Sequence, residues 1–157
     1  MLLYYFDGAD DLLKQAVFRL RGRRIDDALA AANQDQDEGR DGEPRSLAAR
    51  ISAVWPILIG EETALHRVLD QAIGLAMYDP ARYAELSRGA SEQYLPSLLT
   101  LCPEGWSDPR KLEVSEMILA ALRGFLVDAS TSGDTVGIEA GFRALVRALE
   151  REEAATE

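Results

Sequence analysis

The segment from Pro109 to about Ser130 constrains the fold more than any other, because its apolar residues cover most of a helix rather than one stripe of it. Val114, Ile118, Ala121, Leu122 and Phe125 fall at helical spacing, and Leu119, Leu126 and Val127 extend the apolar surface around the girth. A helix of this kind needs cover on two sides, and in a small domain the second cover is often another chain. A short polar turn, TSGD, follows, and Asp134 opens a final helix with Ile138, Phe142, Leu145, Val146 and Leu149 at i, i+4, i+7, i+8 and i+11. The two segments predict a helical hairpin, two copies of which would pair as a four-helix bundle in a twofold homodimer. That expectation puts Ile118, Leu119, Leu122, Arg123, Leu126, Phe142, Leu145 and Leu149 at the interface.

Upstream, helix punctuation recurs and strand signals do not. Asp7 is an N-cap candidate, and Asp10 adds a second acid at the positive end of a helix starting near Gly8. This first helix runs into the thirties, with Leu13, Ala16, Val17 and Leu20 on one stripe and Ile25, Ala28, Leu29 and Ala32 on another. Gly22, between them, predicts a phase shift or a bend. The polar stretch from Asp35 to Pro44 ends the helix in a loop. A second helix spans about Arg45 to Gly60, where Pro56 is expected to kink it or end it early. A third, from Glu61 to Tyr78, carries Leu65, Val68, Leu69, Ala72, Ile73 and Ala76. Asp79 before Pro80 and Asp108 before Pro109 are cap and first-turn pairs that open further helices. The expected architecture is all-α, with about six helices.

With 157 residues, 47% of them hydrophobic, the chain suits one domain with a real core. A net charge of −10 runs against a stand-alone nucleic-acid binder and against anionic membrane surfaces. The single cysteine excludes an internal disulfide and suits a reducing cytoplasm. MLLYYF has neither the basic start nor the cleavage site of a signal peptide, and no apolar run approaches ~18 residues, so no membrane span is expected.

Motifs for catalysis are absent: there is no phosphate-cradling glycine loop, no nucleophile elbow and no zinc-protease helix, so no enzymatic role is expected. Cys102 precedes Pro103 without a cationic neighbour to activate it. Glu62, His66 and Asp70 share a helix face and could offer ligands to a metal, but a solvated charged face explains the same spacing, and no metal or cofactor is expected. FRLRGRR, Phe18 to Arg24, is the only basic cluster, and it reads as a solvated helix surface balancing nearby acids rather than as a phosphate-binding face.

The N-terminal run Tyr4, Tyr5, Phe6, the turn Asp7 and Gly8, and the helix start Asp10, Asp11, Leu12, Leu13 together resemble the junction after the recognition helix of TetR-type (tetracycline-repressor-like) transcription regulators. Leu122, Arg123, Gly124, Phe125 and Leu126 are similar to that family's penultimate helix, which also precedes a short turn and a final amphipathic helix. Gly124 and Gly141 fit a close helix crossing. Ala9 stands where the family carries a lysine that approaches a DNA phosphate, and the rest of a helix-turn-helix would have to precede Met1.

The resemblance implies residues 1–7 as a remnant of the DNA-recognition helix, with Tyr4 and Tyr5 as its DNA-facing residues, and 8–157 as a ligand-sensing and dimerisation domain. It further implies a cytoplasmic repressor that senses a small apolar or amphipathic molecule, and that binds DNA specifically only with a complete helix-turn-helix. Pocket candidates are Trp55, His66, Met77, Tyr78, Tyr94, Trp106 and Phe125. The alternative expectation is a ligand-binding or heterodimerising protein that does not itself bind DNA.

Overall fold

The computed structural model describes residues 8–34, 45–60 and 63–155, and among them every regular element is a helix. The all-α expectation holds. In chain order the helices are α1 (Ala9–Asn33), α2 (Leu47–Gly60), α3 (Thr63–Tyr78), α4 (Pro80–Leu101), α5 (Asp108–Thr131) and α6 (Thr135–Ala154). Among the described residues no helix is long and apolar enough to cross a membrane. Asp7, the remnant 1–7 with Tyr4 and Tyr5, and the loop from Asp35 to Pro44 lie outside the described residues.

Local chemistry sets most of the helix ends. Asp79 accepts a hydrogen bond from the Arg82 amide at 3.2 Å, and Pro80 supplies a fixed φ in the first turn of α4. Asp134 does the same for α6, accepting from the Gly137 amide at 3.0 Å, after Gly133 takes the left-handed conformation (φ 67°) that closes the α5–α6 turn. At α5 the cap falls one residue earlier than the sequence pattern suggests, on Ser107, which leaves Asp108 in the first turn. Cys102 ends α4 in extended backbone, as a residue preceding proline favours.

Two other ends depend on distant residues or on exposure. The α2 terminus is held from across the fold: the Glu153 carboxylate near the end of α6 accepts from the amides of Leu47 and Ala48, the latter at 3.2 Å. A carboxylate at a helix N-terminus meets both the free amides and the positive end of the dipole. Pro56 does not end α2, which continues to Gly60. It sits on the exposed side, where a carbonyl that loses its helical donor can turn to water.

The main core is built by α2, α5 and α6, with help from the ends of α1 and α4. Leu47, Ile51, Val54, Trp55 and Leu58 meet Val114, Ile118 and Leu122 of α5 and Ile138, Phe142, Leu145 and Leu149 of α6. Trp55 stacks on Phe142 with ring centroids 4.4 Å apart and takes Phe125 edge-on at 6.0 Å, while its indole N–H donates to Glu139 at 2.8 Å. This is the geometry aromatic quadrupoles favour, with the polar tip satisfied. Gly141 makes room for the Phe125 ring: a Cβ there would lie 2.7 Å from Phe125 Cε1. Gly124, by contrast, is exposed with open space around it, so within this chain it is not required by a helix crossing. A smaller core of Val17, Leu69, Ala72 and Leu86 joins α1, α3 and α4.

The placement of α5 and α6 corrects the interface expected from their apolar stripes. Ile118 and Leu149 are 0% exposed, and Leu119, Leu122, Phe142 and Leu145 are also buried, all by the chain's own helices. The stripes are apolar because they fill the protomer's core, so these residues present no free surface to a second copy. The outward side of α5 instead shows Met117, Ala120, Gly124 and Val127, and that of α6 shows Val136, Ala140 and Ala144.

Candidate functional site

One helix, α1, decides the character of the interior. It is unbroken from Ala9 to Asn33, and Val17, Arg21, Arg24, Ala31 and Ala32 are all buried along it. These positions keep a single helical period, so the phase shift expected at Gly22 is not needed. The two apolar stripes are one stripe with arginines in the middle. That overturns the reading of the Phe18–Arg24 cluster as a solvated surface: Arg19 and Arg23 do face outward, but Arg21 is 4% exposed and Arg24 6%.

The two buried arginines border a cavity of about 110 Å³ walled by five helices. From α1 come Ile25, Ala28 and Leu29 beside the arginines; from α2, Ile51, Val54 and Leu58; from α3, Leu69 and Ile73. Helix α4 adds Tyr94, Ser97 and Leu98, and α5 adds Leu119, Leu122, Arg123 and Leu126. Among these lining residues the charged side chains are Arg21, Arg24 and Arg123, and none is acidic.

The three guanidinium groups are unequally satisfied. Arg21 donates through Nη2 to the Leu86 carbonyl. Arg123 donates through Nη1 to Ser91 Oγ at 3.3 Å and stands 5.7 Å from the centre of the Tyr94 ring, a cation–π distance. Its Nη2 is buried with no partner among the described residues. Arg24 is the extreme case, since both Nε and Nη2 are buried without a partner among those residues. Burial pushes the Arg21 and Arg123 pKa values below the ordinary arginine value; Tyr94 partly offsets this in both, and Arg123 lowers Arg21 further. Guanidinium groups nonetheless stay charged in proteins. The site is therefore an apolar chamber with concentrated positive charge and donors facing it.

Of the pocket candidates whose side chains are described, the structure brings Tyr94 alone to this cavity. Trp55 and Phe125 belong to the aromatic cluster of the main core, where their rings satisfy each other and Phe142. Trp106 packs at the edge of that core under the Arg110 guanidinium, 4.6 Å from its ring centre. Met77 and Tyr78 are 78% and 88% exposed at the end of α3, on the side turned away from the packed Leu75 and Ala76. The side chain of His66, and with it the Glu62, His66 and Asp70 set, lies outside the described residues. Cys102 is buried and its thiol is pushed up by that burial, with Ser115 Oγ 3.5 Å away partly offsetting the shift. Such a thiol is a poor nucleophile at neutral pH.

Arg21 and Arg24 are the cavity-lining cations that composition and motif reading miss, while Arg123, expected at the interface, lines the same cavity. The signal was present in their spacing: Leu13, Val17, Leu20, Arg21, Arg24, Ala28 continue one helical face, and a cation inside an apolar stripe demands either a partner or a ligand. No protein-family model matches the chain, and no curated protein or solved structure does so either.

Proposed function

We propose that this chain is the ligand-sensing and dimerisation half of a TetR-type transcriptional regulator. The observation that carries the reading is the meeting of five helices at one mainly apolar cavity, with α1 forming a full wall of it. In the resemblance drawn from the sequence, α1 is the helix that leads from the DNA-reading head into the sensor. A molecule lodged against Arg21, Arg24, Ile25, Ala28 and Leu29 bears directly on that helix. Its effect would be a population shift, limited by how differently it binds the two conformations.

A homodimer is part of the same reading, through the outward faces of α5 and α6. Exposed Met117 and Val127 on α5 and Val136 on α6 supply apolar contact, and Ala120, Gly124, Ala140 and Ala144 let helices approach. Charges complement one another across such a pairing: Glu113 and Glu116 are exposed on α5, Arg143, Arg147 and Arg151 on α6. Analytical ultracentrifugation should return twice the 17.3 kDa chain mass. Arg147→Glu should then raise the dimer dissociation constant roughly ten-fold or more, because it puts like charges in register.

The regulatory half is tested by sequencing DNA recovered with the native protein from its source cells. Discrete sites that disappear when effector is added are expected. A uniform background together with a monomer in the ultracentrifuge refutes the reading. The net charge of −10 favours one other possibility, a partner that mixes with a complete relative and removes it from DNA. Mixed dimers in a co-purification would distinguish it.

A further inference from the structure

We propose that the cavity is a receptor for a short monocarboxylate of about four to six carbons, its apolar tail in the chamber and its carboxylate on Arg24. The inference rests on the reading of the cavity as an effector site and adds the chemistry of the effector.

The head group follows from Arg24. Nε and Nη2 are the two donors of the guanidinium's side-on edge, and both are buried without a partner among the described residues. That edge presents two parallel N–H groups matched to the two oxygens of a carboxylate. Arg123 holds a third unpartnered donor, Nη2, on the same cavity, and Arg21 adds positive charge with its own Nη2 already engaged by Leu86. With three cations and no acid among the lining residues, a cationic ligand is repelled, and a neutral one would meet the Arg24 edge only with weaker, uncharged acceptors.

The tail follows from the walls and the volume. Apart from the arginines, Ser97 and Tyr94, the lining is alanine and branched aliphatic residues, which offer nothing to a polyhydroxylated or phosphorylated body. An apolar cavity of ~150 Å³ accommodates benzene, so about 110 Å³ suits a short aliphatic chain rather than an aromatic acid or a long acyl chain.

Isothermal titration of the full chain with butanoate, butan-1-ol, butylammonium and inorganic phosphate tests the assignment. Butanoate should bind one per chain, with the alcohol weaker by roughly ten-fold or more, as loss of charge-assisted hydrogen bonds implies. Butylammonium and phosphate should not bind, the first for its charge and the second for its lack of a tail. Arg24→Met should lose butanoate binding by a similar factor. Arg24→Lys, which keeps the charge but not the fork, should recover only part of it, and Arg19→Met, an exposed change on the same helix, should bind as the parent does.

Equal binding of butanol and butanoate overturns the proposal without any variant, as does the absence of butanoate binding, binding of phosphate as tight as butanoate, or undiminished binding by Arg24→Met. Butanoate binding by a chain that recovers no DNA sites would refute the regulator and leave the receptor standing. Recovered DNA sites without butanoate binding would do the reverse.

Discussion

Replacing Arg24 by methionine should make the unliganded protein more stable, although most core substitutions do the opposite. Arg24 is 94% buried, its 6% exposure being set against two guanidinium donors, Nε and Nη2, that have no partner among the described residues. A buried unsatisfied donor costs about 1–3 kcal/mol, and a charged one tends to the upper end. Methionine keeps the flexible unbranched stem that packs beside Ile25 and Ala28, and it removes both donors and the charge. Taking the two donors together, and allowing for some packing lost with the guanidinium, the expected gain is about 2–4 kcal/mol. For a chain of this size each kcal/mol moves the midpoint by about 2–4 °C, so Tm should rise by roughly 4–16 °C. Differential scanning calorimetry in phosphate buffer without organic acids measures it, with Arg19→Met as the exposed control. An unchanged or lower Tm for Arg24→Met would refute the reasoning, because it would mean that the fold already satisfies the guanidinium. Under the proposed receptor role, the gain is the expected trade between stability and a site kept in readiness for a ligand.

Other parts of the structure are tested more simply. Glu153→Ala removes the carboxylate that caps α2 from α6 and should lower stability by about 1–2 kcal/mol, read as a fall in Tm; Glu153→Gln, which can still accept hydrogen bonds, should fall less. Gly141→Ala should destabilise the chain by about 1 kcal/mol despite its better helix propensity, because its Cβ meets the Phe125 ring, and chemical denaturation measures the difference. Gly124→Ala, in open space, should stabilise a monomeric chain by up to ~1 kcal/mol, and loss of that gain on dimerisation would locate a close contact there. Cys102 has a thiol pKa raised above its ordinary 9.0 by burial, so the unfolded chain ionises first. Its contribution to stability is present below pH 9 and is lost as pH rises beyond it; alkylation at pH 8 should be many-fold slower in native than in denatured protein, and equal rates would contradict the burial.

The helical frame was readable from the sequence because helix ends are local events. Asp79 with Pro80, and Gly133 with Asp134, set their boundaries through contacts within a few residues, and such contacts are written in consecutive letters. Glu153 was unreadable as a cap for the opposite reason: it meets Leu47 across more than a hundred residues. The interface residues failed in another way. Periodicity says that Ile118, Leu122, Phe142 and Leu149 share an apolar face, but not which body covers it, and here α2 does so before any second chain can. The same ambiguity, with its sign reversed, hid the cavity. A sequence pattern scores arginine as exposed, so Arg21 and Arg24 broke the α1 stripe in its buried middle, between Val17 and Ala32. Met77 and Tyr78, read as pocket candidates, sit in solvent while Ala76 beside them is buried. Hydropathy assumes that every residue is placed where it is most stable, and a binding site is where that assumption fails. A buried cation at helical register within an apolar stripe is consequently a sharper indication of a receptor than the aromatics beside it, since aromatics can satisfy one another, as Trp55, Phe125 and Phe142 do, whereas Nε and Nη2 of Arg24 have no partner among the described residues.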